Sequence, residues 1–163
     1  MIFHVSIEAD DPRHIAQVIA ELWGGIATPF PPVIEGSWVA LAGDTRNSLI
    51  EVYPRGTELV EAEGDADSYG VHGSESRRSA THIAIASSLS QEEVLAIAQR
   101  EGWPAKYRKR GGAFGVIELW IEGSQMIEVL TPPMQKEYRE TLTIKGWTDY
   151  LASVGVMPEA ATA

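Results

Sequence analysis

Phe3-His4-Val5-Ser6-Ile7 and Thr81-His82-Ile83-Ala84-Ile85 are two copies of one pattern, and a second pair accompanies them: Ile50-Glu51-Val52 and Ile127-Glu128-Val129. His4 precedes His82 by 78 positions, and Glu51 precedes Glu128 by 77. Within each half a Glu follows its His after 47 or 46 positions. The repetition marks a duplicated module. Each copy sets a His on one strand and a Glu on another, so two copies can bring four metal ligands to one centre.

The neighbours of these residues fix which way they face. Side chains alternate across a strand. Phe3, Val5 and Ile7 point one way, and His4, Ser6 and Glu8 the other. Glu51 sits between Ile50 and Val52, His82 precedes Ile83 and Ile85, and Glu128 lies between Ile127 and Val129. The aliphatic residues seek a core, so the candidate ligands belong to an opposite face lined by polar groups. Two carboxylates buried there without compensation are costly. A divalent cation supplies the compensation.

Composition bounds the rest. A chain of 163 residues with 44% apolar and 22% charged residues is long enough for one globular domain. Thirteen basic and 23 acidic residues leave a net charge of −10, which argues against nucleic acid as a partner. The one basic cluster, Lys106 to Arg110, reads as a solvated strand face. With no cysteine there is no disulfide, thiolate metal site or thiol nucleophile. No basic-then-apolar signal segment and no apolar run of membrane-spanning length is seen, so the expected location is the cytoplasm, with no membrane partner.

Along the chain, residues 2–8 predict a strand. Asp11 offers an N-cap with Pro12 at the first helical position. Ile15, Val18, Ile19 and Leu22 then form one helical face, stopped by Gly24-Gly25. The proline-rich stretch 26–33 can be at most an edge strand. Residues 37–42 and 48–53 predict two more strands joined by a Gly-Asp turn. The second half repeats this order: a strand over 80–86, a capping box at Ser90-Gln91-Glu92-Glu93, and a helix with Val94, Leu95, Ile97 and Ala98 inward, ended by Gly102. Strands follow over 105–110, 115–121 and 125–130. Residues 55–79, rich in Gly, Ser, Glu and Asp, read as a long exposed connection, either a linker or a flap. After Pro132-Pro133, short helices are expected over 134–142 and 147–154, with 157–163 frayed. His14 and His72 read as surface residues.

Paired βαβββ modules carrying His, Glu, His and Glu on their first and last strands resemble the vicinal oxygen chelate superfamily, whose members include glyoxalase I, bleomycin resistance proteins and ring-cleaving dioxygenases. The resemblance implies an α+β fold in which two paired βαβββ modules form a half-open mixed β barrel, here with a short helical C-terminal tail. It covers residues 1–131 as one domain: module 1 (1–54), a linker (55–79) and module 2 (80–131), followed by the tail 132–163. It implies one divalent metal ion held by His4, Glu51, His82 and Glu128. The mixed nitrogen and oxygen donor set suits Ni, Zn, Co, Mn or Fe. Glu51 or Glu128 would be the catalytic base, and sequence does not choose between them. Tyr53 shares the Glu51 face and is a candidate substrate contact; Trp38 and Trp120 are further candidates, for which core packing suits at least as well.

Two positions depart from glyoxalase I. That enzyme usually has Arg four residues after its first ligand and Asn four residues after its first Glu, both of which help hold glutathione. Here those positions are Glu8 and Arg55. Both are candidate substrate contacts, with Arg55 equally suited to begin the linker, but an acid at Glu8 argues against the same glutathione carboxylate contact. The resemblance therefore implies a metal-dependent lyase or isomerase of glyoxalase type acting on a small oxygen-chelating molecule. The alternatives are another metalloenzyme of the superfamily, such as a dioxygenase, and a metal-free small-molecule binding or resistance protein. The site closes either within one chain or across a homodimer.

Overall fold

The alternating residues of the first quoted stretch become β1 (His4–Ala9), and the computed structural model describes residues 4–45, 47–60, 62–63, 67–74 and 82–154. Phe3, residues 80–81 at the start of the predicted second-module strand, and the tail end 157–163 lie outside the described residues. Helix α1 (Pro12–Trp23) follows β1 as expected: the Asp11 side chain accepts a hydrogen bond from the His14 N–H at 3.0 Å. Ile15, Ala16, Val18, Ile19, Ala20 and Leu22 are its buried face. Gly24 closes the helix in the left-handed region at φ 70. Gly25 is required for closeness, since a Cβ there would lie 2.0 Å from the Leu41 carbonyl oxygen.

Three strands complete the first module: β2 (Ile26–Pro29), β3 (Trp38–Leu41) and β4 (Leu49–Pro54). Their order is β1-β4-β3-β2, with β1 and β4 parallel and the other pairs antiparallel. The proline-limited β2 is an edge, as its composition predicts. The connection that follows is not structureless. It carries β5 (Thr57–Val60) and β6 (Tyr69–His72), paired as an antiparallel hairpin. Short strands among Gly, Ser and acidic residues give little alternation to read, which is why the polar composition hid them.

The second module repeats the first. It contains β7 (Ile83–Ala86), α2 (Gln91–Glu101), β8 (Ala105–Arg110), β9 (Phe114–Ile121) and β10 (Gln125–Leu130), in the sheet order β7-β10-β9-β8. The capping box forms in both directions: the Glu93 N–H donates to Ser90 Oγ, and the Ser90 N–H donates to Glu93 Oε2. Val94, Ile97 and Ala98 are buried, while Leu95 lies at the margin. The tail forms α3 (Pro132–Thr141) and α4 (Ile144–Ser153).

One apolar core runs through both modules, including Ile7, Ile50 and Val52 from the first and Ile85, Ile127 and Val129 from the second. These are the aliphatic neighbours of the candidate ligands, so the face assignment holds. The modules meet through polar clamps. Glu122, in the β9–β10 turn, accepts hydrogen bonds from the N–H groups of Asp10 and Asp11 at 2.8 and 3.1 Å and from Arg55 at 2.6 Å. Arg100 of α2 holds Glu21 of α1 at 2.7 Å, and Glu101 meets His14 at 2.6 Å. The two four-stranded sheets stay separate among the described residues, so the mixed sheets are open rather than a closed barrel.

Candidate metal centre

Parallel pairing sets Ser6 beside Glu51 and Ala84 beside Glu128. His4, the first residue of β1, and His82, which immediately precedes β7, each lie two positions earlier. The two modules therefore offer a His and a Glu at the same offset, each Glu on the side of its strand opposite its core-packed aliphatic neighbours. In module 2 the alternation is visible in burial: Ala84 and Ala86 are exposed while Ile85 is buried. His4 and His82 are exposed. Among the described residues, no three His, Cys, Asp or Glu side chains gather closely enough in one chain to hold a metal ion. All four candidate ligands are described, and they form no such group within one chain.

The two modules treat their carboxylates differently. Glu51 is met by neutral donors: Ser6 Oγ donates to Glu51 Oε2 at 2.8 Å and the Tyr53 hydroxyl donates to the same oxygen at 2.5 Å. Tyr53 is buried, and burial, reinforced by the Glu51 carboxylate, pushes its hydroxyl up to about 12. Glu128 is buried and faces a cation. Arg110 Nε donates to Glu128 Oε1 at 3.0 Å, and Arg110 Nη2 donates to the same oxygen. The hydrogen bond to Glu128 holds the Arg110 guanidinium further above its ordinary range, ahead of the opposing effect of burial.

Glu118 was not singled out in the sequence. It pairs directly with Glu128 across β9 and β10 and lies 2.8 Å from Arg110 Nη2. Two signals point to it. Alternation puts Glu118 on the Trp120 face, and the Gly111-Gly112 turn sets a register that lays Lys106 opposite it. Lys106, Tyr107, Arg108 and Lys109 are exposed, as a solvated strand face implies, and alternation sorts the charges between two sides. Lys106, Arg108 and Arg110 share the candidate-site face, while Lys109 turns to the other side and holds Glu137 of α3 at 2.8 Å.

The predicted substrate contacts separate into two groups. Tyr53 stands beside Glu51. Trp120 lines a small cavity of about 180 Å³ with Lys106, Arg108 and Glu118. Glu8 shares the His4 and Ser6 face and accepts the Gly56 N–H at 3.1 Å, fixing the turn into β5. Arg55 is held in the inter-module clamp: its side chain is 6% exposed and bonds Asp10 at 2.5 Å and Glu122 at 2.6 Å. Burial opposes the charge, and those carboxylates outweigh it and raise the guanidinium. Trp38 faces the core and carries Arg13 over its ring at 5.3 Å.

This arrangement has the fold of solved glyoxalases. The chain is similar to a lactoylglutathione lyase from Agrobacterium tumefaciens, at 12% identity and TM-score 0.52, over 79% of this chain and 91% of that one. It is also similar to a trypanothione-dependent glyoxalase I from Leishmania major, at 16% identity and TM-score 0.51, over 95% of this chain and 97% of that one. At such identities the likeness establishes the fold and leaves the reaction open. No family model matches the chain, and no curated protein matches its sequence. No helix among the described residues is long and apolar enough to cross a membrane.

Proposed function

We propose that this chain is a metal-dependent lyase or isomerase of glyoxalase type, acting on a small oxygen-chelating substrate, and that two copies of the chain complete its metal centre. The observation that carries the reading is the repetition. Each module carries one imidazole and one carboxylate at the same sequence offset, with each carboxylate opposite its core-packed neighbours, yet among the described residues the two pairs do not gather within one chain. His4 and Glu51 of one copy would meet His82 and Glu128 of the other in a symmetric dimer. Two neutral imidazoles and two carboxylates match a divalent ion of the Ni, Zn, Co, Mn or Fe group.

Such an ion would supply Lewis-acid polarisation of a substrate oxygen. The chain's own groups divide the remaining work. Glu51, held by two hydroxyl donors and no cation, is the carboxylate suited to take a proton from carbon; Tyr53 and Ser6 fix its orientation. Glu128, whose charge Arg110 already matches, serves to bind. The polarity of Tyr53 beside Glu51 suits the oxygen-bearing end of the substrate.

One observation favours a second reading. The Arg110–Glu128 ion pair can neutralise the buried carboxylate without any metal, as in a metal-free small-molecule binding protein. Metal titration joined to sedimentation separates the two. The proposed enzyme takes up about one metal per chain as a dimer. Stoichiometry near zero after incubation with Ni, Co, Zn, Mn or Fe(II) supports the metal-free reading instead.

A further inference from the structure

Helix α4 lies over Glu128 without burying any residue of its own. Helix α3 behaves differently. Met134 is buried, Tyr138 packs edge-on against Phe114 at 5.0 Å, and Gln135 Nε2 donates to the carbonyls of Ser87 and Leu130. Residues 142–143 then turn the chain, and the Thr143 hydroxyl accepts the Gly146 N–H at 3.0 Å to start α4. Trp147 and Tyr150 stand one turn apart with ring centroids 5.3 Å apart, and both remain about half exposed.

Between α4 and the sheet is a cavity of about 570 Å³. Its apolar walls are Phe114, Leu142, Trp147 and Tyr150, and its floor is the Arg110–Glu128 pair. That volume falls within the roughly 300–1,000 Å³ of small-molecule sites, which are mostly apolar with a few fixed polar groups. The lining carboxylates of Glu140 and Asp149 face their own i,i+4 lysines, Lys136 and Lys145. The cavity walls therefore present aromatic surface and the floor a neutral ion pair.

We infer that this cavity binds the flat apolar body, aromatic or branched hydrocarbon, of a small uncharged or zwitterionic molecule, with Trp147 and Tyr150 as the closing wall. Such a guest removes from water the aromatic surface that α4 leaves exposed, which favours binding. That this guest is part of the substrate rests on the reading of Glu128 given above, because Glu128 is on the cavity floor. That the cavity takes an apolar guest does not rest on it.

The test uses the full chain, treated with chelator, and the neutral dye N-phenylnaphthylamine. The expected result is saturable fluorescence enhancement, with about one dye per chain. Trp147→Ala and Tyr150→Ala should each weaken it on the order of 10-fold, and Trp147→Phe should restore most of the affinity. Circular dichroism should be unchanged, since neither ring is part of the core. Ile144→Ala is the control: Ile144 is 91% exposed on the same helix and does not line the cavity. Equal loss in Ile144→Ala overturns the inference, because the dye would then be adhering to the outer face of α4. A change of oligomeric state in Trp147→Ala also overturns it, since a second copy would then be the occupant. Glu51→Gln should abolish metal uptake and leave dye binding intact, so failure of the metal reading and failure of this one are distinguishable.

Discussion

Replacing Arg110 by Met should lower the stability of the metal-free protein and tighten its metal binding. Arg110 bridges two carboxylates, Glu118 and Glu128, that are directly opposite on neighbouring strands. Their side chains are 16% and 11% exposed, whereas Arg110 is 38% exposed. Removing one partner of a fully buried pair costs about 3–5 kcal/mol, and an exposed pair is worth about 0–1. With the carboxylates mostly buried and the cation more than a third exposed, the cost falls between, at about 1–2 kcal/mol. For a chain of this length, that lowers Tm by roughly 2–8 °C. A divalent ion bound to Glu128 must displace the same guanidinium. Without it the ion meets an uncompensated carboxylate, and the metal Kd should fall by about tenfold, equivalent to 1.4 kcal/mol. Calorimetric titration and thermal melts with and without metal measure both effects, and Arg110→Lys should behave close to wild type. A folded Arg110→Met protein whose metal affinity is unchanged or weaker would refute the reasoning, because Arg110 and the ion would then not compete for Glu128.

Other consequences follow from the same geometry. His82→Ala should weaken metal binding and leave the metal-free melt nearly unchanged, whereas Ile85→Ala, only 6% exposed in the core, should cost about 2–5 kcal/mol; equal melts would make His82 structural. The hydrogen bond from Arg100 holds the Glu21 carboxyl below its ordinary value of 4.5; for Glu101, burial works upward and the Arg100 and His14 bonds outweigh it. Depressed folded values mean the stabilisation is full above about pH 4.5 and is lost as pH falls through the folded values below it. The Tm difference between wild type and Arg100→Met should therefore be present at neutral pH and close in acid, and a difference that persists at pH 2–3 (about two units below the ordinary value) would contradict this. The metal-loaded protein should be a poor isomerase for the glutathione hemithioacetal of methylglyoxal, with kcat/KM lower than a glyoxalase I by on the order of 10²-fold, because Glu8 presents an acid where glyoxalase I usually has Arg. Comparable turnover would show that Glu8 does not govern that contact.

The repeat and the faces were legible because both are local. Ile50, Val52, Ile127 and Val129 alternate with their carboxylates, and a period of two has one meaning in a strand. Helix ends were legible for the same reason, in Asp11-Pro12 and in the Ser90 capping box. What escaped depended on register or on distance. Glu118 becomes a partner of Glu128 only once β9 and β10 are paired. Arg110 becomes a partner of Glu118 and Glu128 only once β8 lies beside β9. The clamp between Arg55 and Glu122, 67 residues apart, forms only once the β9–β10 turn reaches Arg55. The β5–β6 hairpin lies in a stretch whose composition favours loops, and its pairing, not its propensity, makes it a strand pair.

The central claim, that one copy's His4 and Glu51 share a metal with another copy's His82 and Glu128, is tested most directly by mixing two inactive variants. Glu51→Gln and Glu128→Gln chains, each purified alone, should bind little metal. Unfolded together and refolded in equal amounts, they should form mixed dimers in which one of the two shared sites carries all four native ligands. Random pairing then restores about one quarter of the wild-type metal content, as two-fold symmetry requires. Recovery near that fraction is the predicted result. A mixture that binds no more metal than the separate variants, while wild type refolded the same way binds fully, would contradict a shared site.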